Sequence, residues 1–424
     1  MKKVLLLVLV FSLGIGLFNI SYASGPVSIR MSNWLEMEAA TQNIFKQMIA
    51  EFEKQNPKIK VETVGIPFNQ YKDQVLIMNS SGDAPDVIMG NSQMMVAFNG
   101  AKALAPLKGL LSSTTIADIF PNNLQGTTFN GEVKAISWAP HPIALFYNKE
   151  LFKQAGLDPE KPPATWEQMI DYAKKIAALG KDRGGNKIYG LAIASAKVAH
   201  AGTVFNGIIY SYGGYFLDKK GKVALNNSGT KEAFTFIKLM IDQGIAPAGI
   251  EQKDVRGLFA GGQVGMVFDG DMGRGAFRTI SGKGTDFDQI MGVTIVPIGK
   301  TGASETVFTE HELAITQSSK HQKEAAALVE FLLSKKAMVM YHQDQAVLSA
   351  RKSIAALPEM NEDDYMKVFN KQSETARPLP ATNPMFDNAM LEMTKALERV
   401  TVGKEDVGKV LAETEAKIKA LYQE

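Results

Sequence analysis

The chain has 424 residues, 45% hydrophobic and 21% charged, with 46 Lys and Arg against 44 Asp and Glu and no cysteine. That length asks for roughly two or three domains of ordinary size, and the composition excludes wholesale disorder and a fibrous repeat. The near-neutral charge lacks the excess of a nucleic-acid binder, and the absence of cysteine removes both disulfides and a lipoprotein anchor.

The N-terminus reads Lys2, Lys3, an apolar run from Val4 to Phe18, then Ser21 and Ala23 on either side of Tyr22. This is the pattern of a secretory leader cleaved after Ala23, so residues 1–23 are expected to be a signal peptide. A retained anchor is the alternative, since Val4 to Ile20 nearly spans a bilayer, but the polar exit "SYASG" favours processing. Cleavage leaves 44 basic residues against 44 acidic ones. The expected product diffuses freely in the periplasm.

Next, "VSIRMSNW" alternates Val27, Ile29 and Met31 against polar residues, which predicts a strand ending at Trp34. "TQNIFKQMIAEFEKQNP" places Ile44, Phe45, Met48, Ile49 and Phe52 on one helical face. "KIKVETVGIP" predicts a second strand, "QYKDQVLIMNSSG" a helix stopped by Gly82, and "PDVIMG" a third, buried strand. This β-α-β-α-β order indicates a mainly parallel α/β sheet. Further helices are expected at "TWEQMIDYAKKIAALG", "TKEAFTFIKLMIDQG", "HQKEAAALVEFLLSKKAMVMYHQ" and "NPMFDNAMLEMTKALERVTVG". Further strands are expected at "YGLAIA", "VGMVFDG", "MGVTIVPIG" and "HELAITQ". Repeats and low-complexity linkers are missing, so two domains would be joined by crossing strands.

The segment "SWAPHPIALFYNKELF", Ser137 to Phe152, is where a crossing is expected. Pro140 and Pro142 cannot donate ladder hydrogen bonds, so this stretch belongs at a sheet edge or between sheets. "NKELF" then begins the packing of a second lobe.

Several phrases together resemble the extracellular solute-binding proteins of ABC importers, the group with maltose- and oligosaccharide-binding members. They are "EFEKQNPKIKVE", "SSGDAPDVIMG", "YNKELFKQAGLDPEKPPATWEQM", "GGYFLDKKGKVALNNSGTKEAFTFIKLMIDQG", "LFAGGQVGMVFDG" and "VPIGKTGASETVFTEHELAITQSSKHQKEAAALVEFLLS". They are colinear and cover most of the chain. Each also has a local reason: Thr165 can cap the helix that opens with Trp166, and Ala84-Pro85 fixes an extended approach to a strand.

The resemblance implies an α/β fold of two lobes, each a mainly parallel sheet flanked by helices, joined by crossing hinge segments. Residues 24–139 and 291–337 are expected in the N-terminal lobe, 140–290 and 338–424 in the C-terminal lobe. It also implies a small solute, a sugar above all, bound between the lobes and delivered to ABC permease subunits in the membrane. The expected protein is a monomer without cofactor, metal or catalytic activity.

A sugar site needs aromatic planes and hydrogen-bonding rims. Trp34 ends the first strand, at the edge where open α/β sheets bind ligands, and Glu36 follows it. Asn91 stands just after the third strand. Trp138 and His141 lie on the expected crossing. Tyr212 and Gly213 belong to "IIYSYGGYF", where Tyr210 and Phe216 suit the core better. Asp269, Asp271 and Arg274 fall on the loop and helix start after "VGMVF". Glu310 and His311 match a loop that, in the family, returns to the cleft. Trp166, inside a capped helix start, is expected to pack. Met272 stands where many sugar-binding relatives carry a tryptophan, which points to a smaller or more polar solute.

The enzymatic alternative is a secreted glycoside hydrolase using Asp269 and Asp271, or Glu310. The chain has no G-x-S-x-G, H-E-x-x-H or P-loop pattern, and its histidines, His200, His311, His321 and His342 among them, show no zinc spacing. A binding protein for a charged solute, such as a glycerol-phosphate ester or a polyamine, is the other alternative.

Overall fold

The alternating run that begins at Val27 folds as strand β1 (Val27–Asn33), with Ile29 and Met31 buried. These coordinates are a computed structural model that describes residues 25–38, 41–198 and 201–423. The leader expected at 1–23 and His200 lie outside the described residues. Helix Gln42–Gln55 buries Ile44, Phe45, Met48, Ile49 and Phe52, the stripe that its periodicity predicts. Strands β2 (Ile59–Gly65) and β3 (Val87–Gly90) flank β1 in parallel register.

The remaining strands are a short hairpin, β4 (Thr128–Phe129) and β5 (Glu132–Val133), then β6 (Ile136–Pro142), β7 (Ala144–Asn148) and β8 (Tyr189–Ala192). They end with β9 (Val264–Asp269), β10 (Met291–Thr294), β11 (Thr306–Ile315) and β12 (Ala376–Arg377). One sheet runs β12-β11-β3-β1-β2, with β6 also on β11; the second runs β10-β7-β9-β8. The first is parallel across β1, β2 and β3, whereas in the second only β8 and β9 are parallel.

β7 shows how the second sheet is buried on both faces. Leu145 and Tyr147 join one apolar core and Ala144 and Phe146 the other, as period-two alternation requires. The helix Trp166–Ala177 starts as its sequence suggests, with Gln168 N–H donating to the Thr165 hydroxyl at 3.3 Å. Asn227, rather than a Ser or Thr, caps helix Ser228–Asp242.

The prolines mark the crossing, but pairing with β11 keeps residues 140–142 in the first sheet, so the expected break after residue 139 moves to Ile143. β6 is paired only with β11 among the described strands, with Pro140 opposite Glu310 and Pro142 opposite Phe308. At Ile143 the chain leaves the first sheet, and β7 begins the second. Asn148 then caps helix Lys149–Gln154 by accepting from Glu150 and Leu151 N–H at 3.0 Å.

The expected lobe boundaries at 291 and 337 need correction. β10 pairs antiparallel with β7, so residues 291–294 belong to the second sheet. Met338, Tyr341, Ile354 and Met360 pack in the first lobe's core, so the chain stays there to about Met360. The physical reason is Ser334, whose hydroxyl accepts from Ala337 N–H and starts a second helix, Lys335–Gln345, on the same apolar surface. The last helices, Phe386–Thr401 and Val407–Tyr422, pack on the second lobe.

Candidate functional site

A cavity of about 510 Å³ opens where both lobes meet the crossing strands. Loops after the carboxyl ends of β1, β2 and β3 supply one wall, the place where open α/β sheets bind ligands. That wall holds Trp34, Leu35, Glu38 and Thr41, then Phe68 and Lys72, then Asn91, Gln93 and Met94. His141 of β6 and Thr309, Glu310 and His311 of β11 form the floor. Thr203, Met272 and Asp387 face them from the second lobe.

The apolar part is built by contact between rings. Trp34 meets Phe68, Tyr71 and His311 edge-on, with centroids 5.2, 5.0 and 5.4 Å apart. His311 is also edge-on to His141 at 4.7 Å. Burial, and then the nearby His141, hold the His311 imidazole well below the usual histidine range. His311 is therefore a neutral ring near pH 7, able to both donate and accept.

His141 is oriented from behind. Its Nδ1 lies 2.8 Å from Asp271 Oδ1, and that carboxylate also accepts from Met272 N–H at 2.9 Å. The Tyr365 hydroxyl donates to the Asp271 carbonyl, which ties the loop to the second lobe. Histidine and aspartate thus join β6 of one sheet to the loop after β9 of the other.

Beneath the floor sits a pair of carboxyl groups. The Ser92 hydroxyl donates to Glu310 Oε1 and lies 3.5 Å from Glu312 Oε1. Burial raises both carboxyls above the usual range, and Glu310 beside it pushes Glu312 higher still. Gly126 makes room for them: a Cβ there would come within 3.3 Å of Ser92 Oγ and 3.4 Å of Glu310 Oε1.

Among the residues singled out from sequence, Trp34, Asn91, His141, Glu310 and His311 line the cavity, with Asp271 behind His141. Asn91 also caps helix Ser92–Gly100, accepting from Met94 N–H at 3.0 Å. The others lie elsewhere. Trp138 is the extra residue of a β-bulge opposite His311 and Glu312. Its ring is fully buried in the first core, 5.1 Å from Tyr341, and its indole N–H donates to Leu332 O at 3.0 Å. Glu36 folds back on Asn33, whose Nδ2 donates to it at 3.2 Å, and Glu38 takes the place on the wall.

Tyr212 packs on Trp166 and Phe236 in the second lobe, at 5.3 and 5.7 Å. Gly213 is the left-handed residue, at φ +74°, that ends helix Ala201–Ser211. Trp166 is buried, as its capped position suggests. Asp269 is locked by Arg256, whose Nε and Nη2 donate to its two oxygens at 2.7 and 2.8 Å. Arg274 pairs with Asp363 at 2.5 Å and lies 4.0 Å from the centre of the Tyr365 ring. An Asp269–Asp271 catalytic pair is thereby removed, because the first carboxylate is held by arginine and the second by histidine.

Sequence reading missed Glu38, Thr41, Phe68, Lys72, Gln93 and Met94. Their common signal was available: each follows the carboxyl end of one of the first three parallel strands. Thr203, Thr309 and Asp387 carried no such signal. Among the described residues, no group of three or more His, Asp or Glu is placed to hold a metal ion.

Two α/β lobes, connected by crossing strands with a cavity where they meet, define a two-lobed binding protein. The chain belongs to the bacterial extracellular solute-binding protein family, whose model matches residues 38–339. A Brucella abortus protein known only as a binding protein is 25% identical over 413 residues, covering 97% of each chain. The galactooligosaccharide-binding protein of Bacillus subtilis is 26% identical over 388 residues, covering 88% of this chain and 85% of that one. The cyclic alpha-maltosyl-1,6-maltose binding protein of Arthrobacter globiformis has the same fold, with TM-score 0.82 at 20% identity, covering 94% of this chain and 99% of that one. Among the described residues, no helix is long and apolar enough to cross a membrane.

Proposed function

We propose that the protein is the periplasmic component of an ABC importer that binds a carbohydrate between its lobes and hands it, as a monomer, to a membrane permease. The observation that carries this reading is the cavity wall, where the Trp34 and Phe68 rings sit beside Asn91, Gln93, His141 and Thr309. Sugars offer apolar ring faces edged by hydroxyls, and such a wall matches both. The sugar-binding names of the Bacillus and Arthrobacter relatives point the same way.

Binding requires no bond to break. A solute touching both lobes stabilises their closed arrangement by its differential affinity for it, and the permease would read that arrangement. Asp271 holds His141 in one orientation, which leaves the other face of the imidazole to position a ligand hydroxyl.

A charged solute is the second reading, favoured by Glu38 on the wall. This carboxylate would suit a polyamine. A phosphate ester fits less well, because no arginine lines the cavity among the described residues and Lys72 is already bonded to Asp387.

Tryptophan fluorescence and melting temperature should both shift with neutral sugars, because Trp34 is on the wall. If putrescine or glycerol 3-phosphate shifts both signals and no sugar does, the carbohydrate reading is wrong. Hydrolysis of a bound sugar by the purified protein would remove the transport reading altogether.

A further inference from the structure

One side of the cavity is closed by contacts that run directly between the lobes. Lys72, one turn into helix Phe68–Ser80 of the first lobe, reaches Asp387 at 2.5 Å. Asp387 is in the first turn of helix Phe386–Thr401 of the second lobe, where a negative charge is favoured by the helix dipole. Both residues line the cavity, so the pair is part of its wall.

The pair does not stand alone. The segment from Ala376 to Asp387 also bridges the two lobes. Its strand β12 pairs with Thr306 and Val307 of β11, and the Asn122 side chain donates to the Ala376 carbonyl at 3.2 Å. Farther on, Pro384 lies against the end of helix Ser92–Gly100: a Cβ at Gly100 would be 3.2 Å from its ring. Phe386, fully buried in the second lobe's core, anchors the segment's end. The seam between the lobes is thus held at several points, and Lys72 and Asp387 are the part of it that lines the cavity.

The cavity, about 510 Å³, falls in the lower half of the range of about 300–1,000 Å³ for small-ligand sites. We infer that the Lys72–Asp387 pair is an end stop that sets ligand length, restricting the protein to mono- and disaccharides and rejecting longer chains. The inference rests on the carbohydrate reading and deepens it. Rejection works by collision: a third ring would have to break the ion pair and displace the segment from Ala376 to Asp387.

The test is calorimetric titration of the full-length mature protein with two linear series, α-1,4-glucans from glucose to maltopentaose and β-1,4-galactans from galactose to galactotetraose. In whichever series binds, the monosaccharide or disaccharide should bind tightest, and the trisaccharide about tenfold or more weaker. Lys72→Ala and Asp387→Ala should each narrow the gap between disaccharide and trisaccharide affinity by about tenfold. Both side chains are about one-third exposed, so the partner left behind is solvated and the variants should keep the wild-type melting temperature.

Longer chains binding the wild type as tightly as the disaccharide would overturn the length limit and leave the carbohydrate reading standing. Equal weakening of every length in the two variants would assign the pair to lobe closure and overturn it as well. Silence of both series, with a shift from putrescine, would overturn the carbohydrate reading and this inference with it.

Discussion

The two sides of the cavity are unequal. Nine lining residues come from the first lobe, including Trp34 and Phe68, against Thr203, Met272 and Asp387 from the second. On the first side, side chains stand on the loops and helix starts that follow three parallel strands. On the second, they come from three separate helix starts or loops. A ligand in this cavity would find most of its contact on the first lobe, with the second adding a smaller share. Such an arrangement separates capture from closure, the two parts of a hinge equilibrium.

The largest expected effect tests whether stability and binding divide in the same way. Phe146 is fully buried in the second lobe, 5.1 Å from Phe277 and 5.9 Å from Phe369. Phe146→Ala should lower unfolding free energy by about 3–5 kcal/mol, measured by denaturant titration, with ligand affinity little changed in the protein that remains folded. An unaltered stability would mean that the second lobe's core is not where the burial places it.

His141→Ala comes next, and the structure changes what to expect of it. Removing the imidazole leaves the Asp271 carboxylate, 2% exposed, without its histidine partner. Stability should fall by about 1–3 kcal/mol, the cost of leaving a buried acceptor short of a partner, along with affinity. The double variant His141→Ala, Asp271→Ala should recover part of that stability and none of the affinity; recovery of both would break the assignment of His141 to the ligand.

Trp34→Ala should weaken ligand binding at least about tenfold by calorimetry, as loss of a central aromatic contact does. Met272→Ala, on the second side, should cost less than about threefold. A larger loss from Met272 would reverse the comparison between the lobes.

The smallest effect depends on pH. The folded-state value of Glu312 is raised, so its contribution to stability is full below its ordinary value of 4.5 and is lost as pH rises through the raised value. His311 is lowered, so its contribution is full above its ordinary value of 6.5 and is lost as pH falls. The two slopes oppose each other. Glu312→Gln removes the first, so its melting temperature should gain on the wild type as pH rises above about 5. A constant difference would show that Glu312 ionises in the ordinary range.

Much of the fold was legible because its signals are local. The stripe Ile44 to Phe52, the cap at Thr165 and the alternation of "VSIRMSN" each depend on residues a few positions apart. Pro140 and Pro142 marked the crossing because a missing donor is a property of the residue itself. The lobe boundary at 337 was misread because Ser334 punctuates a helix without ending a lobe. Trp138 was misread for a related reason: the bulge that turns its ring into the core is a fact about its pairing with β11, which no window of sequence contains.

By itself, the sequence determined the layer architecture, the caps and edges, and the neutral charge, since each follows from the chemistry and spacing of neighbouring residues. Tertiary structure alone decided which polar groups meet. Ser92 joins Glu310 across 218 positions, His141 joins Asp271 across 130, and Lys72 joins Asp387 across 315. Helical and strand periods act over a few residues, whereas a cleft wall is made by whichever loops the folded sheets bring together.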